Sequence, residues 1–207
     1  MYFKHNFCES KIFGKPEYIN AITSLFISII PFFFKFPKIT AFKRIFFILF
    51  LNGISSFYYH IKLDWIGKQL DELTMILIVY IFIFKLIIII HKLNFVFLFD
   101  LLFLSIFVIN SIPKLDFIFP LLFSLPVSLL LYIIYKLSKI YIGIEFNNFL
   151  YCFIGFLFWI ISELLCNKYT YVGHGLWHLF FPLGAVKIIN NLDYVLINNR
   201  KFNNDFV

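Results

Sequence analysis

The chain is short of charge. Asp, Glu, Lys and Arg make up 14% of its 207 residues, where an ordinary soluble domain carries about 25%. It holds only three cysteines, too few for a disulfide scaffold. With 62% hydrophobic residues, 32 of them Phe, it cannot be a disordered chain, which needs low hydrophobicity. A soluble domain of this size has too much surface for its volume to hide so much apolar side chain. An integral membrane protein remains.

The net charge of +7 comes from 18 basic against 11 acidic residues. The basic residues form no patch or arm of the kind nucleic-acid binding needs. They punctuate apolar runs instead, which is how a membrane protein sets its orientation. A membrane-crossing helix takes roughly 20 mostly apolar residues. Seven such runs are present: Tyr18 to Phe36, Phe42 to His60, Asp71 to Ile90, Leu93 to Ile112, Phe117 to Leu137, Phe146 to Cys166, and Gly173 to Ile189. Pro31, Pro120, Pro126 and Pro182 fall inside them, as bilayer helices tolerate. The expected architecture is an all-α, seven-transmembrane helix bundle. Its parts are an outer N-terminal segment (1–17), the membrane domain (18–189) and a short tail (190–207). With alternating loops, eleven basic residues fall on the tail side and seven on the other. This places the tail in the cytosol and the N-terminus in a lumen or outside the cell. The first 17 residues carry no apolar run, so no cleaved signal peptide is expected.

Polar groups at membrane depth are expensive, and they are functional candidates by default. Three clusters stand out: Ser56-Phe57-Tyr58-Tyr59-His60, Gln69-Leu70-Asp71-Glu72-Leu73, and His174-Gly175-Leu176-Trp177-His178. Residues four apart share a helix face, so Ser56 lines up with His60, and His174 with His178. Each motif alone fits a harmless interfacial histidine or a serine in a helix contact. The seven-span topology, however, brings all three to the same depth on the outer side. Three His ligands suit a catalytic zinc, whose fourth position stays open for water. A neighbouring carboxylate, Asp71, can take and return a proton, and Ser56 can donate a hydrogen bond to the water or to a developing oxyanion. Elsewhere, Lys85 and Asp100 either pair across adjacent helices or Lys85 snorkels to the inner surface. His5 and His91 read as interfacial.

The strings SSFYYH (55–60), QLDELTM (69–75) and HGLWH (174–178) resemble the alkaline ceramidases. These belong to a wider superfamily of seven-span metal hydrolases that includes the adiponectin-receptor relatives. FLFWIISELLC (156–166), FCES (7–10) and EYIN (17–20) extend the likeness over nearly the whole chain, from about Asn6 to Gly184. The resemblance implies zinc on His60, His174 and His178, with Ser56 and Asp71 around the water. It implies hydrolysis of the ceramide amide to a sphingoid base and a fatty acid. The partners it implies are a ceramide substrate and the bilayer, with the protein as a monomer in the endoplasmic reticulum or Golgi membrane, or the plasma membrane. A related hydrolase acting on a phospholipid or GPI-type ester, or a non-enzymatic receptor that kept the metal, are the alternatives. A transporter lacks support, since no inverted repeat or paired broken helices appear.

The resemblance also implies a calcium site before the first span, at Asn6, the Phe7 carbonyl, Glu9, Lys11 and Glu17. Here the sequence departs from the pattern. Asn6 stands for an Asp and Lys11 for an Asn, and the Lys11 side chain supplies no oxygen ligand. Glu163 is a further open point: the family usually carries an Asp one position earlier, where this chain has Ser162. Cys8 and Cys166 both fall on the outer side, where disulfides persist, and the resemblance pairs cysteines at these places. A Cys8–Cys166 bridge is therefore expected, with Cys152 left as a buried thiol.

Overall fold

A computed structural model describes residues 7–91 and 96–202. Among these the secondary structure is helical: a short α1 (Cys8–Phe13), then α2 (Tyr18–Ile29), α3 (Thr40–Lys62), α4 (Trp65–His91), α5 (Val96–Asn110), α6 (Phe119–Ile140), α7 (Phe149–Leu164) and α8 (Gly173–Phe202). Helices satisfy most of their backbone groups internally, which suits a lipid environment. Five stretches are long and apolar enough to cross a membrane: 40–62, 65–89, 119–140, 146–164 and 173–199. Two more, Tyr18–Phe33 and Phe99–Asn110, are apolar but shorter.

The apolar side chains divide between the bundle interior and its outer surface. Phe42, Ile45, Ile83, Leu86, Ile134, Leu137, Ile189 and Leu192 are fully buried. Phe32, Phe33, Phe47, Leu104, Leu125 and Leu150 are exposed. A water-soluble protein rarely shows an apolar surface of this extent. Packing is closest where α7 runs along α8, α3 along α4, and α2 along α3. The α2–α3 crossing requires Gly53, because a Cβ there would meet the Ser24 carbonyl oxygen at 2.8 Å.

Two features depart from the sequence reading. The stretch assigned to the loop before the third apolar run is already helix. Asp64 caps it, its Oδ1 accepting from the Gly67 amide at 2.7 Å, as N-caps do. Lys68 therefore lies inside α4, fully buried and paired with Glu72. Its ammonium lies over the rings of Trp65 and Phe119, 5.1 and 5.8 Å from their centroids. Asn110 of α5 also donates to Glu72, at 3.2 Å, so this buried pair ties α4 to its neighbours. Second, α8 does not stop at Ile189. Leu192, Val195 and Leu196 stay buried, because their three- and four-residue spacing prolongs the apolar face. Asp193 then accepts from the backbone amides of Lys38 and Ile39 at 2.9 and 2.8 Å, fixing the entry to α3. Helix thus occupies 190–202, where the sequence reading begins a tail.

Asp100 accepts a hydrogen bond from the Tyr80 hydroxyl, a partner the spacing alone does not name. His5 lies outside the described residues. The expected disulfide is formed: Cys8 and Cys166 are bonded, with Cα atoms 5.3 Å apart. Cys152 is a free, partly buried thiol.

Candidate metal centre and cavity

His60 stands in the last turn of α3, and His174 and His178 lie on the first two turns of α8. All three are buried. Their ring centroids lie 4.8 to 5.1 Å apart. One nitrogen from each falls within 4.8 Å of the others, and among the described residues this is the one His/Cys/carboxylate group so arranged.

What stands behind each ring decides which nitrogen faces the centre. His60 Nδ1 donates to Glu17 Oε2 at 2.7 Å, both side chains having no exposed surface. Its Nε2 is buried without a hydrogen-bond partner. An orphaned ring nitrogen at such a site is uncommon unless a ligand takes it. His178 Nδ1 lies 3.1 Å from Thr23 Oγ1 and 3.3 Å from Ser24 Oγ. The Thr23 hydroxyl proton goes to the Ile19 carbonyl at 2.8 Å, so its oxygen is left to accept from the imidazole. His174 Nδ1 faces Glu163 Oε1 at 3.7 Å. His60 and His178 thus turn Nδ1 toward a hydrogen-bonding oxygen, leaving Nε2 as the lone-pair donor, while His174 Nδ1 stands near a carboxylate but makes no hydrogen bond. Outer oxygens that fix the tautomer in this way are the usual companions of metal-bound histidine. Three neutral nitrogens converging from two helices fit zinc, which takes three protein ligands when it is catalytic.

Burial would by itself raise the Glu17 carboxyl. The hydrogen bond from His60 outweighs it and holds the group well below the usual carboxylate range, so Glu17 is an ionised acceptor. Glu17 also takes the Phe7 amide at 3.2 Å. Phe7 in turn sets its ring edge-on to His174, centroids 4.3 Å apart.

Asp71 and Ser56 are buried and line one cavity of about 350 Å³ together with His174 and His178. Asp71 is fixed by Asn52, whose Nδ2 donates to Asp71 Oδ1 at 3.0 Å and to the Asp71 carbonyl at 3.1 Å. Ser56 sits 3.0 Å from Ser24 Oγ. The cavity then runs along apolar and aromatic walls between α3, α4, α6, α7 and α8, past Trp159, Trp177, Phe123 and Phe181. These rings contact one another: Trp177 stacks on Phe181 at 4.0 Å and tilts against Trp159 at 5.8 Å.

The structure therefore gathers His60, His174, His178, Asp71 and Ser56 at one place. Sequence reasoning missed Thr23, Ser24 and Asn52. A signal for them existed, since each is a polar residue inside an apolar run, and Asn52 lies four before Ser56 on the same face.

The residues assigned to calcium behave differently. Asn6 lies outside the described residues. The Glu9 oxygens accept from the amides of Ile19 and Asn20 at 2.7 and 2.9 Å, capping α2. Glu17 is engaged as above. The Phe7 carbonyl accepts from the Lys11 amide and the Ser10 hydroxyl, both at 3.1 Å. The Lys11 ammonium lies 3.5 Å from Glu163 Oε2. Calcium takes six to eight oxygens. The described members, each already committed within the chain and one of them a cation, do not fit it.

An all-helical bundle with an apolar exterior, a buried three-histidine centre and an apolar cavity opening from it defines a membrane-embedded protein with a candidate metal site. The chain belongs to the ceramidase family. The family model described as Ceramidase matches residues 4–206. Comparison with curated proteins finds no match. Family membership makes this chain a hydrolase of the ceramidase kind, with a lipid as its implied substrate.

Proposed function

We propose that the chain is a zinc-dependent intramembrane amidohydrolase that cleaves ceramide to a sphingoid base and a free fatty acid. The observation that carries this reading is the orphaned His60 Nε2. It faces two further buried histidines at the mouth of an apolar cavity that also presents Asp71 and Ser56. In this reading α2 to α8 are seven spans, the N-terminus is luminal or extracellular, and the end of α8 is cytosolic. The eleven-to-seven split of basic residues supports that orientation. The exposed Phe and Leu side chains of the outer helix faces meet lipid.

His60, His174 and His178 would hold the zinc, which would supply Lewis acidity to polarise the amide carbonyl and to make water nucleophilic near neutral pH. The chain's own residues do the rest. Asp71, pinned through Oδ1 by Asn52, accepts the proton of the attacking water and passes it to the departing nitrogen. An amine leaves poorly until it is protonated, so the carboxyl works first as base and then as acid. Ser56 donates its hydroxyl proton to the oxygen on which negative charge develops. Trp159, Trp177 and Phe181 wall the cavity and hold bulk water away from the cleavage point. An intramembrane cavity lets a two-chain lipid enter sideways from the bilayer. In this reading the active unit is a monomer, in the endoplasmic reticulum or Golgi membrane or in the plasma membrane.

The test is turnover by purified protein on panels of ceramides and phospholipids. Zinc-dependent release of fatty acid from ceramide is expected. Hydrolysis of phospholipid or GPI-type esters without amide cleavage would replace ceramide as the substrate. No zinc-dependent turnover of any lipid amide or ester would leave a receptor.

A further inference from the structure

Glu163 lies between the N-terminal segment and the metal centre. Its Oε1 accepts from the Cys8 amide at 3.2 Å and stands 3.7 Å from His174 Nδ1. Its Oε2 is 3.5 Å from the Lys11 ammonium. Both Lys11 and Glu163 border the cavity that holds His174 and His178. The neighbouring Ser162 is fully buried, with its hydroxyl unpartnered, so the residue before Glu163 gives His174 no support. The other two histidines have close oxygen partners in Glu17 and Thr23. The oxygen standing against His174 Nδ1, which makes no hydrogen bond, is Glu163 Oε1.

We propose that Glu163 is the positioning residue of His174, and that the Lys11 ammonium is the fixed cation that holds Glu163 in place. The N-terminal segment thus supports the metal centre through a built-in charge rather than a bound calcium ion. Three observations converge on this. The only charged group of the chain found against Glu163 Oε2 is the Lys11 ammonium, among the described residues. Glu9 and Glu17 spend their oxygens on α2 and on His60. The Cys8–Cys166 bond anchors α1 beside the end of α7, so Lys11, one turn along α1, is delivered to Glu163 three residues before Cys166. A carboxylate facing Nδ1 fixes the tautomer and the ring angle and raises the basicity of the opposite nitrogen.

The proposal rests on the reading of the three histidines as a zinc site, and its test separates the two. Zinc affinity is measured on purified full-length protein by competition with a chromophoric chelator. Wild type should bind one zinc, and failure to bind defeats the zinc reading itself. Glu163→Gln keeps an oxygen for the Cys8 amide but loses the charge. It should weaken zinc binding by about 10- to 100-fold at an unchanged melting temperature. Lys11→Met, a change at a half-exposed position, should weaken it less, and it serves as the second variant should Glu163→Gln not fold. Calcium ion at millimolar concentration should change neither the zinc affinity nor the melting temperature of wild type. Zinc affinity within two-fold of wild type in both variants overturns the positioning role. A calcium-induced rise in wild-type zinc affinity or melting temperature overturns the built-in cation.

Discussion

Glu17 Oε2 accepts from His60 Nδ1 at 2.7 Å, with both side chains cut off from solvent. Glu17 is the residue just before α2, and His60 is on the last turns of α3. The contact therefore joins the N-terminal segment to the candidate metal centre. The backbone repeats the link, since the Glu17 amide donates to the His60 carbonyl at 3.0 Å. A residue that resemblance assigns to calcium is here the outer partner of a candidate metal-binding histidine.

Replacing Glu17 by Gln should therefore act on the metal. The amide can still meet Nδ1 but carries no charge, and outer-partner losses of this kind cost about 10- to 100-fold in metal affinity or activity. Zinc content after dialysis against a chelator, with the melting temperature as a control, measures this. Full zinc retention in Glu17→Gln would show that the contact only packs the segment.

Asp71 and His178 should fail in different ways. His178→Ala removes a ligand, so both bound zinc and turnover should vanish. Asp71→Asn leaves three nitrogens in place and should keep zinc while turnover falls by about 10²- to 10⁴-fold, the usual share of a proton shuttle. Asn52→Ala frees the Asp71 carboxyl without removing it, and a smaller fall is expected. Metal analysis alongside single-turnover cleavage of ceramide distinguishes these. Loss of zinc from Asp71→Asn would make Asp71 a ligand and not a shuttle.

Much of this site was legible in the sequence because its parts follow simple spacings. Ser56 and His60, and His174 and His178, are four apart, and helix geometry alone puts each pair on one face. The apolar runs located the seven longer helices, although α4 starts six residues before its run and α8 extends thirteen past its own. What stayed hidden depends on packing between helices. Thr23 and Ser24 reach His178 only because α2 lies against α8, and nothing in their spacing names that partner. Lys68 looked like a loop residue because charge usually marks a loop. Its partner Glu72 lies one turn on, and Asn110 comes from another helix. The extension of α8 past Ile189 was masked by its Asn and Asp residues. The sequence shows their polarity but not that Asp193 caps the entry to α3.

The Cys8–Cys166 bond should contribute measurably to stability. It closes a separation of 158 residues, and loss of a native disulfide typically costs about 2 to 5 kcal/mol. It also places the Cys8 amide on Glu163. Cys8→Ser should lower the melting temperature, and reductant should lower that of wild type but not of Cys8→Ser. If reductant leaves wild type unmoved and both thiols alkylate in the untreated protein, the bond does not form.

Gly184 lies where α8 packs tightly on α7 beside the cavity wall. A Cβ there would meet the Cys152 Sγ at 2.6 Å, the Cys152 amide nitrogen at 2.8 Å and the Tyr151 Cβ at 3.0 Å. The last two are backbone and stem atoms that cannot swing aside, so Gly184→Val must push the helices apart. Overpacking of a tight contact costs about 1 to 3 kcal/mol, and the shift should reach Phe181, whose carbonyl receives the Cys152 thiol at 3.5 Å. Because Phe181 lines the cavity and His178 lies one turn further away, Gly184→Val should lower the melting temperature and raise KM for ceramide while zinc binding stays intact. Trimming the thiol removes only one of these contacts, and the Cys152 backbone still obstructs. Gly184→Val combined with Cys152→Ala should therefore still melt below wild type. Recovery to the wild-type melting temperature in that double variant would place the clash at the sulfur and not at the helix backbone.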